Sequence, residues 1–213
     1  MASRYKYSKG ALPSEQYAAV DFDSFYADIL HLIPTQGTLI DVGGGAGRDA
    51  LRMSERSGRQ ATVINIDPDP ARWDDSQKLY PEKMVKVQTA TEFQKAITLK
   101  HPVFIQDSIQ SLESFYRIAP HVKGDFVLCN AVMMFIPDEE QEQALNGLFK
   151  ITAHDGTVAL RYRTENLKDG MIKINHDTLE SRCKKAGFSV TRTPPTPDVL
   201  GRDHIWHQLL LKR

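Results

Sequence analysis

Residues 38–49 read Thr-Leu-Ile-Asp-Val-Gly-Gly-Gly-Ala-Gly-Arg-Asp, so four glycines fall within five positions directly after an apolar run. Leu39, Ile40 and Val42 suit a parallel strand buried on both faces. The glycines that follow let the backbone pass where a Cβ would collide. Residues 49–56 are rich in helix formers, and Gly58 stands where a left-handed C-terminal cap is expected. The stretch therefore predicts a strand, a tight turn and a helix, with room for a ligand at the helix N-terminus.

Two ligands suit such a turn, a dinucleotide or S-adenosylmethionine. The dinucleotide pattern Gly-x-Gly-x-x-Gly needs its last position to be glycine or alanine for close helix packing. Counted from Gly43 that position is Arg48; counted from Gly45 it is Ala50, a permissive match. Asp41 separates the two more sharply. A carboxylate two positions before Gly43 repels a pyrophosphate and favours a cationic methionine end.

The segment Asp41-Val42-Gly43-Gly44-Gly45-Ala46-Gly47 resembles the first motif of class I S-adenosylmethionine-dependent methyltransferases, an acidic residue followed by alternating glycines. The resemblance implies a Rossmann-like α/β fold: a doubly wound, mostly parallel seven-stranded sheet with an antiparallel C-terminal strand and helices on both faces. It implies S-adenosylmethionine as methyl donor, S-adenosylhomocysteine as product, and Asp41, Gly43, Gly45 and Gly47 as cofactor-binding residues.

Lys plus Arg equals Asp plus Glu at 27 each, which leaves no broad basic footprint for nucleic acid or an anionic membrane. Cys129 and Cys183 are the two cysteines, far apart and without zinc-ligand spacing; no metal site is expected, and a reducing compartment fits. No apolar run is long enough to span a bilayer, and the charged N-terminus has no apolar core behind it. These features place the protein in the cytoplasm. The length of 213 residues suits one domain, read as 21–213, preceded by an arm, 1–20.

The arm carries Tyr5, Tyr7 and Tyr17 and reads either as a frayed terminus or, by the resemblance, as a lid over the cofactor. Phe22, Phe25, Tyr26, Ile29, Leu30 and Ile33 recur at three- and four-residue spacing, which predicts an amphipathic helix over 21–33 ended by Pro34. Residues 61–67 predict a second strand with Asp67 at its carboxyl end, 20 positions after Gly47. There it would sit beside the glycine turn and accept from both ribose hydroxyls, the alternative being a turn-starting role in Asp-Pro-Asp-Pro. Residues 70–100 predict helix in parts without fixing its ends. A third strand, 103–106, runs into Asp107 and Ser108, which the resemblance assigns to the adenine; Asp107 equally suits an N-cap for a helix over 109–118.

Residues 125–130 predict a fourth strand ending at Asn130, which the resemblance places at the cofactor floor. The chain lacks the Asn/Asp-Pro-Pro-Tyr/Phe signature of amino-nucleobase methyltransferases and the Pro-Cys pair of cytosine carbon methylation. A helix from Pro137, a turn at Asp155-Gly156 and a fifth strand, 157–162, follow. Alternation at that strand end sends at least one of the cations Arg161 and Arg163 toward the ligand side. Arg161 is the first expectation for substrate contact, with Tyr162 beside it. Residues 177–186 predict a helix, 188–191 a strand, 194–197 a rigid link, and 204–213 the antiparallel last strand. His204 and His207 are expected to be structural, since no third group orients either ring.

The expected activity is methyl transfer to an O, N or S atom of a small-molecule acceptor, since no recognition domain or net positive charge is present. A protein or RNA acceptor is the alternative within the class. An NAD(P)-dependent oxidoreductase and a non-catalytic binding subunit are the alternatives outside it.

Overall fold

The computed structural model describes residues 14–165, 167 and 170–213. In chain order its elements are α1 (Ser14–Ala18), α2 (Phe22–Phe25), β1 (Thr38–Val42), α3 (Arg48–Arg56), β2 (Thr62–Asp67), α4 (Pro70–Leu79), β3 (Val85–Lys86), α5 (Ala90–Thr98), β4 (Val103–Gln106), α6 (Glu113–Ile118), β5 (Gly124–Asn130), α7 (Gln141–Ile151), β6 (Thr152–Tyr162), α8 (His176–Lys185), β7 (Ser189–Arg192), β8 (Thr196–Pro197) and β9 (Ile205–Lys212).

The strands form one sheet in the order β3-β4-β2-β1-β5-β6-β9-β7, with β8 paired to β9. All pairings are parallel except those made by β9, which runs antiparallel to β6, β7 and β8. The seven expected strands are present, and the structure adds two, β3 and β8, each only two residues long and too short to leave a period in the sequence. From β1 the chain builds outward through β2 to β4, then returns to place β5 on the other side of β1. Right-handed crossovers then put helices on both faces, and the reversal opens a crevice at the carboxyl ends of β1 and β5. Leu39, Ile40, Val63, Ile64, Phe104, Phe126, Val127, Val158 and Leu160 fill the buried middle of the sheet.

The continuous helix expected over 21–33 is broken. Phe22, Phe25, Tyr26 and Ile29 are buried as the spacing requires. The α-helix nevertheless stops at Phe25, and a 3-10 turn, Leu30–Leu32, follows. The cause is tertiary. The Phe25 carbonyl accepts from the Arg161 guanidinium at 2.6 Å, and the Ile29 amide that would have reached it in a helix donates to Tyr26 instead. A charge-assisted bond from a buried cation outweighs one neutral helix bond. Likewise the turn expected at Asp155-Gly156 lies inside β6: Asp155 takes φ 64° and the strand begins earlier, at Thr152. The 109–118 helix shortens to α6, entered through Leu112 at φ 53°.

Candidate ligand cleft at the strand ends

Gly43, Gly45 and Gly47 all have positive φ (67°, 56° and 88°), the backbone that makes glycine the default here. The turn is stitched to β2 by the Gly43 amide, which donates to the Ile66 carbonyl at 2.7 Å. Gly44 is required for a different reason. A Cβ there would lie 1.9 Å from Asn65 Oδ1 and 2.3 Å from Asp41 Oδ2, whereas one on Gly45 would meet only Arg72 Cδ, at 4.0 Å. The turn thus presses on the strands at Gly44 and stays bare toward the cleft at Gly45.

The cleft measures about 490 Å³ and is lined by Asp41, the Gly43–Gly45 backbone, Asp67, Asp107, Ser108 and Asn130 among others. Eight residues singled out from the sequence as cofactor-binding were Asp41, Gly43, Gly45, Gly47, Asp67, Asp107, Ser108 and Asn130. The structure brings all but Gly47 to its wall; Gly47 faces the Met84 side chain beneath the turn.

Asp67 accepts from the Gly45 amide at 2.9 Å on one oxygen and from the Asp69 amide at 2.9 Å on the other. Each oxygen keeps a further lone pair. Burial pushes its pKa up to about 6, against the pull of those two amides. Asp41 is more deeply buried, and burial together with the nearby charge of Asp49 holds its pKa well above the ordinary carboxylate value. Its Oδ2 and Asn65 Oδ1, both without donors, flank the point where Gly44 lacks a Cβ. A proton on Asp41 would satisfy both. The fixed negative charge expected at Asp41 is therefore disfavoured.

Asp107 turns its carboxylate inward. It accepts from the Ser108 amide at 2.8 Å, the Ser111 hydroxyl at 2.9 Å and the Phe115 amide at 2.9 Å, so it organises the approach to α6. The capping alternative is thus realised in substance, and its remaining lone pair is what a ligand could reach.

Asp49 was not singled out as a site residue, yet it gathers the N-terminal segment. It accepts from Tyr17 Oη at 2.7 Å, from Tyr26 Oη at 2.6 Å and from the Arg48 guanidinium, whose Nη1 donates on to the carbonyls of Tyr17 and Val20 at 3.2 Å each. Asn130 Nδ2 donates to Tyr17 Oη at 3.1 Å, which leaves Asn130 Oδ1 without a donor. Arg48 stacks 3.9 Å from the Tyr17 ring centroid. Of the arm's three tyrosines, Tyr17 thus spans the cleft from α3 to β5, while Tyr5 and Tyr7 lie outside the described residues. An i, i+1 Arg-Asp pair opening a helix was the available signal, but its partners lie too far away in sequence to read.

Arg161 and Tyr162, expected at the substrate, do not line the cleft. Arg161 is 2% exposed, donates to Phe25 O and Thr196 Oγ1, and lies 4.7, 5.2 and 5.8 Å from the ring centroids of Phe25, Tyr26 and Trp206. Tyr162 points to the opposite face, its hydroxyl 3.0 Å from His176 Nδ1, with His207 stacked on its ring. The strand-end cation that does line the cleft is Arg163, with Met171, Arg202 and Trp206.

A family model described as a methyltransferase domain matches residues 15–193. Comparison with curated protein sequences gives no match. Among solved structures, the magnesium protoporphyrin IX methyltransferase of Synechocystis PCC 6803 with bound SAM superposes with a TM-score of 0.62 at 19% identity, over 93% of this chain and 79% of that one. A TehB-like SAM-dependent methyltransferase from Corynebacterium glutamicum gives 0.62 at 15% identity, over 93% and 92%. An arsenic(III) S-adenosylmethionine methyltransferase from Chlamydomonas reinhardtii gives 0.58 at 16%, over 85% and 64%. At these identities the likeness is one of fold.

Proposed function

The chain belongs to the methyltransferase-domain family, and from that premise we propose that it transfers a methyl group from S-adenosylmethionine to an O, N or S atom of a small-molecule acceptor. The observation that carries the cofactor choice is the polarity of the cleft's acceptors: Asn130 Oδ1 lacks a donor, and both Asp67 oxygens keep lone pairs. Such a wall asks for a ligand bringing N–H and O–H donors and a positive charge. The diphosphate of a nicotinamide dinucleotide brings acceptors alone, and that part of it would face these acceptors unmatched.

In this reading Asp67 holds the ribose, the bare backbone at Gly43 and Gly45 admits the nucleoside, and Asn130 presents its carbonyl oxygen at the cleft floor. Gly47 supports the turn from below. The segment Asp107-Ser108 borders the adenine, chiefly through its placement by α6. When bound, S-adenosylmethionine supplies a methyl group on cationic sulfur, already activated toward a nucleophile. The chain's contribution is to orient the acceptor and exclude water. Tyr17, tied to both Asp49 and Asn130, closes one side of the cleft; of the arm read over 1–20, which precedes the single domain 21–213, residues 14–20 are proposed to act as a lid, and residues 1–13 lie outside the described residues. Two of the structural neighbours are named for small acceptors, magnesium protoporphyrin IX and arsenic(III), and a cleft of about 490 Å³ supports an acceptor of that size. Cys129 and Cys183 are free, buried thiols, which suit the cytoplasm. Among the described residues, no helix is long and apolar enough to cross a membrane.

Calorimetric titration with S-adenosylhomocysteine and, separately, with NAD+ and NADP+ tests the reading. Binding of the first alone is expected, followed by label transfer from methyl-labelled S-adenosylmethionine into a small-molecule fraction of a cell extract. Binding of a nicotinamide cofactor with none of S-adenosylhomocysteine would overturn it.

A further inference from the structure

We infer that Arg163 is the anchor for a carboxylate on the methyl acceptor, so that the substrate class is a small organic acid with an apolar body. The inference rests on the cleft being the methyl-transfer site argued above.

Arg163 directly follows β6, is 4% exposed and still lines the cleft. Among the described residues its Nε has no hydrogen-bond partner, and its Nη2 donates to the Met171 sulfur, at 3.2 Å. A thioether is a weak acceptor, so this edge of the guanidinium is poorly satisfied. The other buried arginines are better held. Arg48 is paired with Asp49, and Arg161, whose Nε also lacks a partner, donates to the Phe25 carbonyl and Thr196 Oγ1 among three rings and does not reach the cleft. Among the described residues, no carboxylate forms an ion pair with Arg163. Leaving a buried cation without its counter-charge is strongly unfavourable, and a ligand that supplies the charge removes that cost on binding.

The nearest candidate for neutralisation is already committed. Asp198 takes both the Nε and Nη2 of Arg202, at 3.0 and 2.5 Å, the Trp206 indole N–H at 3.0 Å and the Leu200 amide at 2.9 Å. Although burial works the other way, these donors hold Asp198 at about 2. Arg202, also at the cleft wall, is thereby neutralised, and of these two arginines Arg163 is the one without an ion pair among the described residues. Burial, and next the charge of Arg202, push the Arg163 pKa down, the direction for a site short of negative charge.

The surroundings complete the ligand's description. The Trp206 ring centroid lies 5.5 Å from Arg163 Cζ, the Met171 sulfur 3.2 Å from its Nη2, and Met134 and Phe135 also line the cleft. These give an apolar, partly aromatic wall beside a planar two-pronged donor, which matches a carboxylate attached to a flat or hydrocarbon body. Asp67 lines the glycine end of the cleft. The cleft is therefore polarised, acidic where the cationic nucleoside is proposed and basic where the acceptor would lie.

The test uses matched probes that differ by one charge: acetate with acetamide, benzoate with benzamide, and 2-naphthoate with 2-naphthamide. Each is titrated into the full chain by calorimetry, with and without saturating S-adenosylhomocysteine. At least one acid is expected to bind tenfold or more tightly than its amide. Arg163→Met should abolish that preference while leaving S-adenosylhomocysteine affinity within twofold of wild type, and Arg163→Lys should retain part of it. The S-adenosylhomocysteine affinity and the melting curve report whether each variant is folded. Absence of acid preference in all three pairs, or a preference unchanged in Arg163→Met, overturns the inference while S-adenosylhomocysteine binding still upholds the cofactor reading. An Arg163-dependent acid preference in a chain that does not bind S-adenosylhomocysteine would do the reverse.

Discussion

Asn130 donates through its amide to the Tyr17 hydroxyl at 3.1 Å across 113 positions of sequence, and that hydroxyl passes its own proton toward Asp49. The N-terminal segment is thus held on both sides of the cleft by one oxygen atom. Burial, followed by the charge of Asp49, raises the Tyr17 pKa far above its ordinary value, so the phenol remains a donor at every working pH. Tyr17→Phe removes a bond to a carboxylate and leaves the Asn130 amide nitrogen without its acceptor. A loss of about 1.5–3 kcal/mol is expected, measured by denaturant unfolding. Faster amide exchange at residues 14–20 than elsewhere would locate it; uniform exchange would show that the segment is held by other contacts.

Asp67 gives the cleft a pH dependence with a definite sign. Its carboxylate must be ionised to accept from two hydroxyls, and its folded pKa lies near 6. Affinity for S-adenosylhomocysteine should be full above that value and fall as pH drops through it. Stability of the free protein moves the other way. A raised carboxylate pKa contributes stability at low pH that is lost as pH rises through the folded value. Asp67→Asn should flatten the affinity profile, and Asp67→Ala should weaken binding about 10- to 100-fold with little change in fold. Calorimetry from pH 5 to 8 checks both, and unchanged affinity in the alanine variant would remove Asp67 from the ribose role.

The glycine turn, the strand sequence and the acidic strand ends were legible because each depends on neighbours within a few residues. The four glycines, the β-branched runs and the spacing from Gly47 to Asp67 are local patterns. What escaped depends on contacts at long range. Nothing near Phe25 signals that Arg161 takes its carbonyl and ends the helix. Alternation does place Arg161 and Arg163 on one side of β6, yet it cannot say which of them the aromatic residues from α2 and β9 will enclose. Asp107 looked equally like a ligand and a cap because both roles need an acceptor at that position; only the fold brings the Phe115 amide to it.

Two adjacent glycines should fail in different ways. Gly44→Ala drives a methyl group into Asn65 and Asp41 and should lower stability by about 2 kcal/mol or more. Gly45→Ala meets nothing closer than Arg72 Cδ at 4.0 Å, so its cost is that of a positive φ, about 1 kcal/mol. Gly45→Val should keep the fold and lose S-adenosylhomocysteine binding, because its side chain enters the cleft. Thermal melts paired with calorimetry separate the two effects, and normal binding by Gly45→Val would count against placing the nucleoside at this turn.

Arg161 lies in β6 and Arg163 just past its end, two residues apart, and their substitution should separate structure from recognition. Arg161→Met leaves the Phe25 carbonyl without its donor, since the Ile29 amide is already turned to Tyr26. It also withdraws a cation from among Phe25, Tyr26 and Trp206. A loss of about 1.5–3 kcal/mol is expected from the charged hydrogen bond alone, with amide exchange accelerating over residues 22–32. Preference for an acid over its amide should survive in the folded fraction, because Arg161 does not reach the cleft. In Arg163→Met the order inverts: among the described residues no guanidinium–carboxylate bond is broken, an unfavourable buried charge is removed, and melting temperature should hold or rise while the acid preference disappears. If Arg161→Met instead lost the acid preference at unchanged stability, the division of labour between these two arginines would be the wrong way round.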